Sequence, residues 1–240
     1  MSQNPLKTFA EWSISRGLVL PHAQWERVSE LWFLRELLQR LEVDCVLDVG
    51  ANRGQFAHEL RRIGYAGRIV SFEPIASEFE VLRSSFAADP LWHGHAIALG
   101  AADDVMRITV PRLTVLSSLL DAQVSEPGAR IERVEVRRLD AMWPALQVGG
   151  ACRRVFLKMD TQGFDLEVFK GAAGCLPQVC GLQSELSIQP LYKHMPHYLE
   201  ALAAYEAAGF ELHNLAVVSR TAEHGLVELN CLMRRGQAGP

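Results

Sequence analysis

The chain predicts an α/β fold in which a mostly parallel sheet is covered by helices on both faces. Three observations predict it. Short apolar runs bounded by glycine or proline alternate with segments whose apolar residues recur every three or four positions. The first two runs, around Val46–Val49 and Ile69–Phe72, are continuously apolar or β-branched with little polar alternation, as in strands buried on both sides. The chain has 240 residues, 49% of them hydrophobic, and so can bury one substantial core. The expected organisation is a helical leader over residues 1–42, one domain over 43–235 and a flexible tail at 236–240.

Between Trp25 and Leu41 the residues Leu31, Leu34, Leu38 and Leu41 recur at helical spacing. They predict a leader helix that covers one edge of the sheet, a place from which such helices also shape substrate entrances. The run Val46-Leu-Asp-Val-Gly-Ala-Asn-Arg-Gly-Gln-Phe56 is a strand that breaks at Gly50 and restarts as a helix near Asn52. Phe56, Leu60 and Ile63 line that helix, and Gly64 and Gly67 end it. Arg68–Phe72 is the second strand, stopped at Glu73-Pro74, and Ile75, Phe79, Leu82 and Phe86 form the stripe of the next helix. A third strand is expected through His95–Leu99. The rhythm then changes: Met106–Val110 and Ile131–Val136 alternate apolar with polar residues, as in an inserted antiparallel pair near the carboxyl ends of the parallel strands. Ligands of open α/β sheets bind outside those strand ends, so the insertion is expected to shape a substrate pocket. The alternation resumes with a strand at Arg154–Asp160, a helix at about Phe164–Ala173, a strand at Gly181–Glu185 and a helix at about Met195–Ala208. Phe210–Leu215 and Leu226–Met233 are joined by too short a connection for a crossover, which makes them antiparallel neighbours.

The chemistry begins at the first turn. Gly50 and Gly54 remove side chains where backbone approaches a ligand, and the N–H groups opening the next helix suit an anion. A nicotinamide or flavin site places a pyrophosphate here with G-x-G-x-x-G spacing, and a neighbouring acid would repel it. This chain has D-x-G-x-x-x-G with Asp48 on the strand, which suits a ligand carrying an ammonium and a sulfonium: S-adenosylmethionine. Glu73, 19 residues after Gly54, stands where an acid accepts hydrogen bonds from ribose hydroxyls. It also suits the dipole of the helix that follows.

The formal net charge of −4 and the scattered arginines argue against a nucleic-acid surface. The pairs Arg61-Arg62, Arg153-Arg154 and Arg234-Arg235 are isolated in sequence and expected to be solvated. Five cysteines without C-x-x-C spacing read as reduced core residues. No apolar signal core or membrane-length segment is visible, so a soluble cytoplasmic protein is expected; whether it forms a homo-oligomer is left open.

The chain resembles the FkbM family of S-adenosylmethionine-dependent methyltransferases from Val43 to Arg234. The resemblance rests on Leu47–Gly54, Gly67–Pro74, Ala96–Gly100, Ser117–Leu119, Arg138-Leu-Asp140, Leu157-Lys-Met-Asp-Thr-Gln-Gly-Phe-Asp165 and Ser184-Glu-Leu186. It implies a Rossmann-like seven-stranded sheet with the last strand antiparallel, and methyl transfer to a hydroxyl of a sugar in a glycolipid, polysaccharide or oligosaccharide, or of a related natural product. The implied cofactor set is Asp48, Gly50, Ala51, Asn52, Gly54, Glu73 and Pro74, with Ala98 and Leu99. Two residues depart from the pattern: His194, where a small or acidic residue is common, and Asn230 in place of an acid. An NAD(P)-dependent oxidoreductase and a non-catalytic S-adenosylmethionine-binding protein are the rival readings.

Transfer of a methyl group to an alcohol oxygen needs the oxygen held in line and a base, or a metal, to take up its proton charge. Asp160, ending a central strand at the binding edge, is the first candidate, followed by Glu185 at the end of the next strand. Lys158 shares a face with Asp160 and must be paired if buried. The same three residues would alternatively form an ion network tying the strands to the Gln162-Gly163 turn. His194 and His197 are further candidate bases, Ser117 and Ser118 read as loop hydrogen-bonding groups, and neither His93/His95 nor His194/His197 has the third ligand zinc requires. The pattern does not demand a divalent metal.

Overall fold

The computed structural model describes residues 16, 22–111, 114, 117–120, 128–146, 153–190 and 192–236. Helix α1 (His22–Arg40) leads into strand β1 (Cys45–Val49), then α2 (Gln55–Arg62), β2 (Arg68–Phe72), α3 (Ala76–Ser85) and β3 (Trp92–His95). After β4 (Ala98–Leu99), β5 (Asp104–Val110), β6 (Arg130–Arg137) and the short α4 (Leu139–Met142), the main alternation returns. It runs through β7 (Val155–Met159), α5 (Asp165–Gly171), β8 (Val179–Ser187), α6 (Tyr198–Ala207), β9 (Phe210–Arg220) and β10 (Leu226–Arg235).

Seven strands form one sheet in the order β3-β2-β1-β7-β8-β10-β9. Neighbours from β3 to β8 are parallel, whereas β10 runs antiparallel to both β8 and β9. The expected antiparallel closing pair is therefore present, with the later strand inserted between the two earlier ones. In β1 the side chains of Cys45, Leu47 and Val49 enter the core on one face, with Leu157, Met159 and Leu182 beside them and Phe169 and Tyr205 from α5 and α6. Val46 enters the other core, with Ile69, Phe156 and Leu232, under Leu34, Leu37 and Leu38 of α1 and Phe56 and Leu60 of α2. Burial on both faces explains why β1 and β7 are apolar throughout except for one residue each, Asp48 and Lys158.

Three expectations about elements need adjustment. The third strand of the large sheet is Trp92–His95, whereas Ala98-Leu99 leaves that sheet and pairs in parallel with Val136-Arg137. The apolar run there signals burial but does not say in which sheet. The inserted pair β5/β6 is antiparallel as expected and joins β4 in a three-stranded sheet; most of its connection lies outside the described residues, as does the expected tail beyond Gly236. The helix expected from Met195 starts at Tyr198, because Pro196 precedes it and His197 caps it, Nδ1 accepting from the Leu199 N–H at 3.3 Å. Helix α1 reaches further than an edge cover, packing over a sheet face and against β9.

Candidate functional site

A cavity of about 470 Å³ opens at the carboxyl ends of the parallel strands. Its floor is made by the turns after β1, β2 and β7, its roof by the inserted sheet and its far wall by α1 and β10.

The turn after β1 is held shut by its own hydrogen bonds. The N–H groups of Gly50 and Ala51 donate to Phe72 O at 3.0 and 3.1 Å, that of Asn52 to Glu73 Oε2 at 2.8 Å, that of Arg53 to Gln55 Oε1 at 3.1 Å and that of Gly54 to Ala51 O at 2.8 Å. The amides of residues 50–54 are thus engaged within the turn, so the N–H groups that open the helix are those from Gln55 onward. The glycines are needed for packing. Both have positive φ; a Cβ on Gly50 would lie 2.0 Å from Asp160 O, and one on Gly54 2.8 Å from Leu82 and Phe86. Gly50, Ala51 and Asn52 line the cavity and Gly54 does not.

Asp48 also lies outside the cavity lining. It faces Lys158 across the β1/β7 register, both fully withdrawn from water, with Lys158 Nζ 3.0 Å from Oδ1 and Ser71 Oγ donating to Oδ2 at 3.4 Å. Burial by itself would push the Lys158 ammonium down, but the charges of Asp48 and then Asp160 hold it above its usual value. Asp48 therefore anchors a protein cation, instead of standing free for a cationic ligand.

Glu73 is buried at the end of β2, where it caps the start of α3. Oε1 accepts from the Ile75 N–H at the start of α3 and Oε2 from the Asn52 N–H, each at 2.8 Å. Burial pushes its carboxyl up to about 7, against the pull of those two N–H groups and with a further rise from Glu78 and Asp48. No cation pairs with it among the described residues, so further hydroxyl donors would complete it. It lines the cavity with Pro74, Ala98 and Leu99, near Ser117, whose buried Oγ has no partner among the described residues. This end of the cavity thus combines acceptor atoms, a hydroxyl without a partner among the described residues and apolar walls.

At the other end the structure brings Lys158, Asp160 and Glu185 together on the cavity wall. Lys158 Nζ lies 3.5 Å from Asp160 Oδ2, and Gln162 Nε2 donates to Glu185 Oε2 at 2.8 Å and to Asp160 Oδ1 at 3.4 Å. The amide orientation of Gln162 is fixed by Tyr192 OH, donating to Oε1 at 3.2 Å, and its backbone by Ser118 Oγ, donating to its carbonyl at 2.8 Å. Burial, reinforced by Asp160, Glu228 and Asp165, raises Glu185 well above the usual carboxylate range, with Lys158 opposing. Asp160 is far more open, its side chain 42% exposed. Asp165 is structural: its carboxylate accepts from Thr161 N–H, Ser184 Oγ and Glu185 N–H.

His194 is exposed, with φ of 60°, and does not line the cavity; His197 is used as the α6 cap. Among the described residues no three His, Cys, Asp or Glu side chains gather as a metal site. Asn230 does reach the cavity, donating to Glu30 Oε1 at 2.6 Å. Sequence reasoning missed Glu30, Arg27 and Gln183. Glu30 is buried at the position four before Leu34 on the apolar face of α1, a polar residue in a core stripe, which is the signal that could have found it.

The family model described as Methyltransferase FkbM domain matches residues 48–212. No curated protein matches the chain. Among solved structures, the fold is similar to magnesium protoporphyrin IX methyltransferase from Synechocystis with bound S-adenosylmethionine, at 10% identity over 90% of this chain and 80% of that one, TM-score 0.50. A putative RNA methyltransferase from Pyrococcus horikoshii matches at 11% identity over 87% and 83%, TM-score 0.46.

Proposed function

The chain belongs to the FkbM methyltransferase family and uses S-adenosylmethionine, and from that premise we propose that it methylates a hydroxyl oxygen of a sugar or a related natural product. The observation that carries this reading is the division of one cavity into two unlike ends. One end offers Glu73, Asn52, Ser117 and the apolar Pro74, Ala98 and Leu99 to a nucleoside. The other offers Asp160, Glu185, Gln183, Glu30 and Asn230, hydrogen-bonding groups without a basic surface, which suit a neutral polyhydroxylated acceptor.

When bound, S-adenosylmethionine supplies an electrophilic methyl carbon on a sulfonium. Asp160 would take the proton of an acceptor hydroxyl held against that methyl carbon. Asp160 suits the task because it is open to the cavity, with Lys158 Nζ at 3.5 Å and Gln162 Nε2 at 3.4 Å fixing its direction. Lys158 holds its proton and acts by position and charge. Glu185, its carboxyl raised above the usual range by burial and neighbouring acids, lies on the same wall as a hydrogen-bonding partner for a second acceptor oxygen.

The test is incubation of the protein with S-adenosylmethionine and a panel of free sugars, glycolipids and hydroxylated macrolides, reading the demethylated product and the methyl position by NMR. An O-methyl product supports the reading. Methylation confined to amines, thiols or nucleobases would overturn it.

A further inference from the structure

A second groove, of about 720 Å³, lies at the opposite pole of the sheet, where the parallel strands begin. Five arginines line it: Arg40 closing α1, Arg153 and Arg154 before β7, and Arg234 and Arg235 ending β10. Two of the arginine pairs that are isolated in sequence are thus neighbours in space, because β7 starts and antiparallel β10 ends at the same edge of the sheet.

No acid lines this groove among the described residues. The carboxylates at its rim are few. Glu211 pairs with Arg234 at 2.9 Å and Glu36 stands 3.8 Å from Arg40. Asp44 accepts from the backbone N–H groups of Arg153 and Arg154 at 3.0–3.1 Å. Arg153, Arg154 and Arg235 have no side-chain carboxylate partner among the described residues. Arg154 Nε donates to Leu41 O at 2.6 Å, and Arg235 gives its N–H groups to the carbonyls of Val179, Ala208 and Leu176 while lying over the Phe210 ring. His213, in the same groove, is held below its usual range by burial and then by the charges of Arg234 and Arg40.

We propose that this groove is a second binding site, for a diphosphate group whose organic part lies on Leu41 and Pro177. Arg153 and Arg154, whose side chains have no carboxylate partner among the described residues, and the exposed Arg40 and Arg234 beside them present several planar donor forks, which the oxygens of adjacent phosphates can meet together. The apolar residues in the lining give the carrier of the diphosphate a surface to rest on. The site is separate from the methyl-transfer cavity and shares no lining residue with it.

Calorimetry with inorganic pyrophosphate, inorganic phosphate and S-adenosylmethionine tests this. Pyrophosphate is expected to bind at least about tenfold tighter than phosphate and to weaken steeply between roughly 50 and 200 mM salt. Arg40→Gln with Arg153→Gln changes two exposed side chains and is expected to weaken pyrophosphate about tenfold or more, leaving S-adenosylmethionine affinity unchanged as proof of folding. Absence of pyrophosphate binding at about 10 mM, equal binding by the double variant, or displacement of pyrophosphate by S-adenosylmethionine would each overturn the proposal.

Discussion

Glu73 ties the stability of the unliganded protein to pH in a direction opposite to that of a salt-bridged acid. Its folded pKa, about 7, lies above the unpaired value of 4.5, so between these pH values the folded state binds more protons than the unfolded one. Stability is therefore lost as pH rises from about 4.5 to 7, by an amount on the order of 3 kcal/mol for this buried group. Glu73→Gln should flatten that part of the curve in urea melts, while Glu73→Ala should weaken S-adenosylmethionine binding about tenfold or more in calorimetry. Lys158 behaves differently, because its removal strands a buried charge. Lys158→Met should cost about 3–5 kcal/mol by denaturant titration, and combining it with Asp48→Asn should recover much of the loss. If both variants are as stable as the parent, the buried pair is not what joins β1 to β7. Asp160→Asn keeps the side-chain shape, so turnover should fall by a factor of about 10² to 10⁴ with donor affinity little changed. A variant with near-normal turnover would show that Asp160 is not the base.

Helix α1 and the inserted sheet enclose the cavity at the level of elements: one forms its far wall, the other its roof. Glu30 joins α1 to the sheet by accepting from Asn230 and, at 3.4 Å, from Gln183 Nε2, and Arg27 bridges it to Glu59 on α2. Glu30→Leu leaves those buried amides without their acceptor and should cost about 1–3 kcal/mol in thermal or urea unfolding, with a higher KM for the acceptor. The inserted sheet contributes Ile108 and Leu119 to the cavity, and Thr114 Oγ1 meets Asn52 Nδ2 at 3.3 Å. Replacing residues 121–127 by a shorter linker should impair use of the acceptor and leave donor affinity nearly intact. Equal loss of both in a protein that still melts cooperatively would assign the insertion to the donor site alone.

Across the whole molecule, what sequence shows well is what repeats locally. The period of Phe56, Leu60 and Ile63, the unbroken apolar strands and the proline after Glu73 mark elements and their order, and sheet order follows from rules of connection. The family's Lys-Met-Asp-Thr-Gln-Gly run places Lys158 and Asp160 on one strand, and alternation alone puts them on one face. What sequence hides is the meeting of distant segments. Nothing local reveals that Asp48 is neutralised 110 positions later by Lys158, that the turn amides are occupied by Phe72 and Glu73, or that Arg153 and Arg234 border one groove. Strand β10 carries the longest of these reaches. Among the described strands it alone pairs with β9, and its Cys231, Leu232 and Met233 are completely buried. During synthesis β8, α6 and β9 leave the ribosome before the strand that must slide between β8 and β9. Until it arrives, β8 presents an open apolar edge of the kind that chaperones bind and that other chains pair with. A chain stopped at Gly225, which lacks β10, should therefore appear as aggregate or protease fragments instead of a weaker enzyme.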